Sequence, residues 1–264
     1  MAAYRELGLS GWSYQAIECD EAGLPALLGS LGPEWAGLSL TMPLKRAVLP
    51  LLDRADPLVT EVGAANTVLL ADGSRAGYNT DVPGMSTALA EAGVVLDGPV
   101  LMLGGGATAC SAVVALSRAG AGAVAVAVRD PARAGPFLDV AGRCRIQVQL
   151  VALGRGEERR RWLGEYQAQP WRLVLSTVPG GAADEYAALI AAGQLVADAV
   201  FDVLYHPWPT RIAAAAGAAG AVVISGFELL LYQAAGQFEL MTGATAPVEA
   251  MRAAGLAVLS GRAI

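Results

Sequence analysis

The chain is poor in the residues that most often carry acid–base and metal chemistry. Its 264 residues include one histidine, His206, and 18 lysines and arginines, of which only Lys45 is a lysine. A single histidine excludes a His-rich metal cluster and leaves acid–base work to Lys, Asp, Glu or Tyr. The three cysteines, Cys19, Cys110 and Cys144, lie far apart without CxxC spacing. They suit a reducing compartment and small buried roles, so neither a disulfide nor a metal site is expected. Although 55% of the residues are hydrophobic, no apolar run approaches the ~20 residues of a membrane helix. The apolarity comes mostly from alanine interspersed with glycine. Met1-Ala2-Ala3-Tyr4-Arg5-Glu6 lacks the basic start and apolar stretch of a signal peptide, so a soluble cytoplasmic protein with no membrane partner is expected. The net charge of −6 excludes a general nucleic-acid binder. The run Arg159-Arg160-Arg161 follows Glu157-Glu158 and reads as a solvated helix face.

A chain that otherwise uses arginine keeps lysine where arginine will not serve, or by chance at the surface. A guanidinium cannot be deprotonated in a protein, whereas a partly buried amine can be tuned towards neutrality. Lys45 closes the stretch Leu38-Ser39-Leu40-Thr41-Met42-Pro43-Leu44-Lys45 and is a candidate proton donor or acceptor.

The first third of the chain reads as mixed α/β. The pattern predicts a helix over 2–8, a strand over 14–19, a helix over 21–31 and a strand over 36–41. That last strand runs into Met42-Pro43, where the proline can seat the first turn of a helix through 52. A further strand over 66–70 closes at the turn Asp72-Gly73. From residue 100 onward strands and helices alternate. The runs 100–103 and 123–128 are apolar without polar alternation, as expected of strands covered on both faces, and 146–151, 173–175, 196–199 and 222–224 continue the series. Helical stretches such as 108–119 and 184–192 separate them, which predicts a parallel, doubly wound sheet. Residues 226–262 read as helical with a break at 243–247, and are expected to pack back on the first domain.

Leu101-Met102-Leu103-Gly104-Gly105-Gly106-Ala107-Thr108-Ala109 runs strand, glycine turn, helix. Glycines let the backbone approach a pyrophosphate, and the helix that follows offers it free N–H groups and a positive dipole end. The cofactor type is set after the next strand, where an acid binds the ribose 2′-hydroxyl of NAD and an arginine accommodates the 2′-phosphate of NADP. Here Arg129 is followed by Asp130, with Arg133 four residues beyond Arg129. Two guanidinium groups favour NADP; Asp130 leans towards NAD, and an ordinary surface cluster is the competing reading.

Six motifs then occur in a fixed order. Thr41-Met42-Pro43-Leu44-Lys45, Gly63-Ala64-Ala65-Asn66-Thr67 and Gly77-Tyr78-Asn79-Thr80-Asp81 precede the glycine loop. Asp202-Val203-Leu204-Tyr205-His206-Pro207 and Gly226-Phe227-Glu228-Leu229-Leu230-Leu231-Tyr232-Gln233 follow it. Together they resemble the shikimate dehydrogenase family, particularly actinobacterial members with their Pro207-Trp208-Pro209-Thr210 ending, over almost the whole chain. The resemblance implies an α/β fold with two domains. An N-terminal α/β substrate-binding domain over 1–81, completed by 226–264, would flank a doubly wound parallel Rossmann NADP-binding domain over 82–225. It also implies NADP-dependent interconversion of 3-dehydroshikimate and shikimate in chorismate and aromatic amino acid biosynthesis, by a monomer or homodimer.

Position by position, Lys45 and Asp81 are similar to the family's catalytic Lys/Asp pair. Thr41, Asn66, Tyr205 and Gln233 fall on substrate-contacting positions. Gly104, Gly105, Gly106 and Ala107 match the pyrophosphate loop, and Arg129 and Arg133 the 2′-phosphate clamp. Ser176, Thr177 and Gly226 fall on further cofactor-facing positions; the family often has Asn where Ser176 stands. Asp81 could alternatively cap a helix after Asn79-Thr80, and His206 reads as structural. The family pattern also begins with a strand and a Ser-x-Ser loop ahead of Ala2, which leads to the expectation that translation starts further upstream. Two other readings compete: an NAD-preferring quinate/shikimate dehydrogenase, and a catalytically impaired paralogue that senses a dinucleotide or metabolite.

Overall fold

Short apolar runs interrupted by proline and glycine produce short strands, and the first sheet of the protein consists of four of them. The computed structural model describes residues 1–152 and 170–261, which divide into a unit Met1–Gly84 with Leu230–Ile264 and a unit Met85–Leu229. In chain order the first unit contains α1 (Ala2–Glu6), α2 (Leu24–Ser30), β1 (Gly37–Ser39), α3 (Leu44–Ala47), β2 (Arg54–Ala55), α4 (Pro57–Val62), β3 (Thr67–Ala71) and β4 (Ser74–Tyr78). α5 (Asp81–Glu91) then carries the chain out of it. The strand order is β1-β3-β4-β2. β3 and β4 form an antiparallel hairpin whose turn residues have positive φ, 52° at Asp72 and 73° at Gly73, as the strand twist prefers. α2, α3 and the sheet share a core in which Leu24, Leu28, Leu44, Val48 and Val68 are buried.

Proline sets two boundaries that differ from expectation. Pro25 sits in the first turn of α2, so that helix begins at Leu24 and not at 21. The helix expected through 52 stops at Ala47, and Leu49–Leu51 form a separate 3-10 turn around Pro50, which has no N–H to continue it. The strand expected over 14–19 does not form. Among the described residues no strand pairs with it, and Tyr14 and Ile17 are exposed. Alternation makes a strand only where a neighbouring edge and a face to bury exist.

The second unit is a six-stranded, all-parallel sheet in the order β10-β9-β8-β5-β6-β7. Its strands are β5 (Val100–Leu103), β6 (Ala123–Val128), β7 (Gln147–Ala152), β8 (Leu173–Ser176), β9 (Ala199–Asp202) and β10 (Val222–Ser225). α6 (Ala107–Arg118), α7 (Gly135–Arg143), α8 (Asp184–Ala191) and α9 (Arg211–Ala218) separate them. Consecutive strands lie side by side except β7 and β8: the chain returns from the β7 edge to lay β8 beside β5, so the winding reverses between β5 and β8, where nucleotides bind in such sheets. β5, β8 and β9 are buried along their whole length. β9 forms over 199–202 and not 196–199, because the apolar Ala199, Val200 and Phe201 take the sheet positions while charged Asp198 stays at its edge. The Arg159-Arg160-Arg161 run lies outside the described residues.

α10 (Gly226–Thr242) returns the chain to the first unit, and α11 (Val248–Leu259) ends it there. Tyr4 of α1 stacks on Trp12 at 5.8 Å between ring centroids and meets Phe238 of α10 at 5.5 Å. The C-terminal helices therefore pack on the first domain, as the absence of strands after 226 suggests. No helix among the described residues is long and apolar enough to cross a membrane.

Candidate active site

Lys45 stands in the first turn of α3, a helix of one turn held by the buried Leu44 and by Val48 just beyond its end. The Lys45 carbonyl accepts the Ala65 N–H at 2.8 Å, which ties this turn to the segment leading into β3. The Lys45 side chain is 15% exposed and donates from Nζ to Asp81 Oδ2 at 2.6 Å; the Asp81 side chain is 6% exposed. Asp81 is the first residue of α5, where the helix dipole favours a negative charge. It is not the cap. Asn79 accepts the Val82 N–H at 3.2 Å and donates to the Ala64 carbonyl at 3.0 Å, leaving the Asp81 carboxylate for Lys45.

Asn66, fully buried, completes the group. Its Nδ2 donates to Asp81 Oδ1 at 2.8 Å, to Thr80 Oγ1 at 2.8 Å and to Gln233 Oε1 at 3.3 Å. Its Oδ1 accepts from the Thr80 N–H at 2.8 Å and from the Thr67 hydroxyl at 2.9 Å. Gln233 reaches Asn66 from α10 because glycine lies between the helices. A Cβ at Gly84 of α5 would stand 2.9 Å from the Gln233 main-chain nitrogen. Lys45, Asp81, Asn66 and Gln233 are thus joined by hydrogen bonds, and Thr41 lies exposed in the turn just before α3.

The glycine loop fits a pyrophosphate on this chain's own geometry. Gly104 has φ +103°, and a Cβ there would meet Thr177 Oγ1 at 2.6 Å. A Cβ at Gly105 would lie 3.2 Å from Val128 Cγ1, whereas Gly106 faces open space and no side chain caps α6. The free N–H groups of the first turn of α6 are therefore uncovered where a phosphate would sit. The Thr177 hydroxyl is given to the Leu103 carbonyl at 2.9 Å, so it braces the loop. Arg129 and Arg133 are exposed after β6, while Asp130 Oδ1 accepts the Ala132 N–H at 3.0 Å as the cap of the 3-10 turn Pro131–Arg133.

Three other expected positions sit at the C-terminal ends of β8, β9 and β10. Ser176 is fully buried at the end of β8, in register with Asp202. Asp202 is itself buried, and burial pushes its carboxyl above the ordinary value. Hydrogen bonds from the Thr210 hydroxyl at 2.7 Å and the Leu204 N–H at 3.2 Å pull the other way. This clasp closes the loop 203–209, which carries Tyr205 at 40% exposure. At Gly226 a Cβ would collide with the Val203 carbonyl, so glycine is required there by packing against the same loop.

Comparison with known proteins shows the family. The family model described as the shikimate dehydrogenase substrate binding domain matches residues 1–68, and the one described as the shikimate 5′-dehydrogenase C-terminal domain matches 226–254. A curated shikimate dehydrogenase (NADP(+)) of Citrifermentans bemidjiense is 37% identical over 264 residues, covering 96% of this chain and 87% of that protein. The chain belongs to the shikimate dehydrogenase family. The crystal structure of shikimate dehydrogenase from Mycobacterium tuberculosis superposes with a TM-score of 0.84 at 38% identity, covering 96% of this chain and 92% of the other. Shikimate 5-dehydrogenase from Thermus thermophilus, in complex with NADP(H) and shikimate, gives 0.80 at 32% identity, covering 96% and 90%.

In this member of the shikimate dehydrogenase family the four joined residues are supported by Thr67, Thr80 and Asn79, which stand inside the motifs without a role that the motifs assign, and by Gln237, which stands outside them. Its signal is present all the same: Gln233 and Gln237 are spaced i, i+4 on a largely apolar helix, which puts both amides on one face.

Proposed function

We propose that this chain is an NADP-dependent shikimate dehydrogenase that interconverts 3-dehydroshikimate and shikimate, with Lys45 and Asp81 as its acid–base pair. The observation that carries the reading is the 2.6 Å contact of Lys45 Nζ with Asp81 Oδ2, bordered by Asn66 and Gln233, in a member of this family. The unit Met1–Gly84 with Leu230–Ile264 takes the shikimate, and the unit Met85–Leu229 takes the dinucleotide. Gly104, Gly105, Gly106 and Ala107 hold the pyrophosphate, and Arg129 and Arg133 the 2′-phosphate.

When bound, NADPH supplies the hydride to the ketone carbon. Lys45 gives its proton to the ketone oxygen as charge develops there, and takes it back in the oxidative direction. Asp81 orients the amine and accepts from a neighbouring substrate hydroxyl. Asn66 has both lone pairs of Oδ1 filled, so it can meet substrate only through Nδ2. Its longest bond, 3.3 Å to Gln233, is the one a substrate hydroxyl would replace most easily. Thr41 and Tyr205 make the remaining substrate contacts. Asp130, turned into its own cap, leaves the arginines to a 2′-phosphate, which weighs against the NAD reading. The same reading gives a cytoplasmic monomer or homodimer.

The test follows NADPH and NADH oxidation with 3-dehydroshikimate and with 3-dehydroquinate. NADPH with 3-dehydroshikimate is the pair expected to turn over fastest. Lys45→Arg should keep NADP+ affinity and lose about 10²–10⁴-fold in kcat. Unchanged turnover in that variant would remove Lys45 from its role.

A further inference from the structure

Gln237 is buried on α10, one turn beyond Gln233, and none of its polar atoms is idle. Its Nε2 donates to the Asn66 carbonyl and to Thr67 Oγ1, both at 3.0 Å. Its Oε1 accepts from the Ser39 hydroxyl at 2.9 Å. The directions are not interchangeable. A main-chain carbonyl only accepts, so the amide must turn its nitrogen towards Asn66 and Thr67, and Ser39 must donate to its oxygen. Thr67 has one hydroxyl proton. Accepting from Gln237, it gives that proton to Asn66 Oδ1 at 2.9 Å. Asn66 Oδ1 also takes the Thr80 N–H, so only its NH2 remains for Asp81. Ser39, Gln237, Thr67, Asn66 and Asp81 therefore form one donor chain pointing at the carboxylate that holds Lys45.

We propose that Gln237 is a positioning residue for the dehydrogenase reaction: it sets the donor direction of the Thr67 hydroxyl and pins the Asn66 main chain. Asn66 then presents N–H to Asp81 and to substrate. Gln233 and Gln237 bracket Asn66 from one helix, the first at its side-chain amide and the second at its carbonyl. The inference rests on Lys45, Asp81 and Asn66 being the reacting group.

Gln237→Glu keeps the size of the side chain and an acceptor, but puts an oxygen where Thr67 and the Asn66 carbonyl need a donor. Gln237→Met keeps the bulk and removes all three bonds. Kinetics on the full chain should show kcat/KM for shikimate down about tenfold in either variant, the scale of one or two buried hydrogen bonds, with KM for NADP+ within twofold of the parent. Thr67→Val should give a similar loss, and the Gln237→Met/Thr67→Val pair should be no worse than the poorer single variant, because both cut one chain. Folded variants with parental kcat/KM, or losses that multiply in the pair, would overturn the proposal. If the Gln237 variants fail to fold, Thr67→Val and Ser39→Ala test the chain from its other members with the same criterion. Side-chain amide exchange of 15N-labelled Asn66 gives an answer independent of turnover. Exchange should quicken at least tenfold in Gln237→Met or Thr67→Val, and unchanged exchange would refute the positioning role. If the parent chain fails to turn over shikimate, the functional reading fails, and the exchange result still decides the role of Gln237.

Discussion

Asn79 accepts the Val82 N–H across the first turn of α5 at 3.2 Å, placing the helix cap two residues ahead of Asp81. The two jobs available to a polar residue at this helix start are thereby divided. Asn79 satisfies an orphan N–H and, through the Ala64 carbonyl, fastens the helix to the segment before Asn66. Asp81 is left with a carboxylate whose two oxygens face Lys45 and Asn66.

Separating these jobs by mutation should separate stability from chemistry. Asn79→Ala removes a cap and should lower stability by about 0.5–2 kcal/mol, while kcat of the folded fraction stays within tenfold. Asp81→Asn leaves the cap intact and should cut kcat by about 10²–10⁴-fold. Thermal unfolding and initial rates on the same samples check both, and equal activity losses would merge the two roles again.

How much of this could be read from the chain follows from where each bond partner lies. Lys45 stands out because it is the only lysine, and Asp81 and Asn66 fall within ordered motifs. The strand–helix alternation after residue 100 needs only local periodicity, so the parallel sheet was legible. Gln237 and Thr67 are 170 residues apart, and neither residue type signals a partner at that distance. Residues 14–19 fail for the opposite reason: their alternation is local and clear, but among the described residues no strand lies alongside to make use of it. At β9, propensity gave the strand and burial of Phe201 set its register.

Gly84 tests the close approach of α5 and α10. In a helix alanine is favoured over glycine by about 1 kcal/mol, but a Cβ here would press on the main chain of Gln233, 2.9 Å from its nitrogen and 3.3 Å from its Cα. Backbone inside a helix cannot step aside as a side chain can, and overpacking costs about 1–3 kcal/mol. Gly84→Ala should therefore lower the Tm and raise KM for shikimate several-fold by displacing Gln233. A raised Tm with unchanged KM would show that the helices can part without consequence.

Asp202 should give the protein a distinct pH signature. Burial raises its carboxyl above the ordinary 3.8, outweighing its hydrogen bonds to Thr210 and Leu204. A folded-state pKa above the unfolded one means that folding favours the protonated form. The stability this group contributes is fully present below pH 3.8 and is lost as pH rises through the folded value. Asp202→Asn removes the titration and keeps an acceptor for the Leu204 N–H. Urea midpoints measured between pH 4 and pH 7 should show the parent losing ground to the variant as pH rises, by at most about 1.4 kcal/mol per pH unit. A flat difference, or a parent that gains on the variant as pH rises, would contradict the raised value.

Cofactor choice turns on the residues after β6. Asp130 caps its own 3-10 turn, and Arg129 and Arg133 on either side of it are exposed. Each guanidinium can offer a charge-assisted, two-pronged contact to a 2′-phosphate and has no such partner on the ribose hydroxyl of NAD. Hydrogen bonds to charged groups are worth about 1.5–3 kcal/mol each. Arg129→Ala and Arg133→Ala should each weaken NADP+ binding by roughly 10–150-fold, and leave NAD+ binding within a few-fold. Asp130→Ala should act mainly by loosening the turn, raising KM for NADP+ modestly without improving NAD+. Titration of each variant with both dinucleotides, followed by fluorescence or calorimetry, reads the two affinities directly. Equal losses for NADP+ and NAD+ would mean that the arginines serve the fold of this turn, and that discrimination lies elsewhere on the second unit.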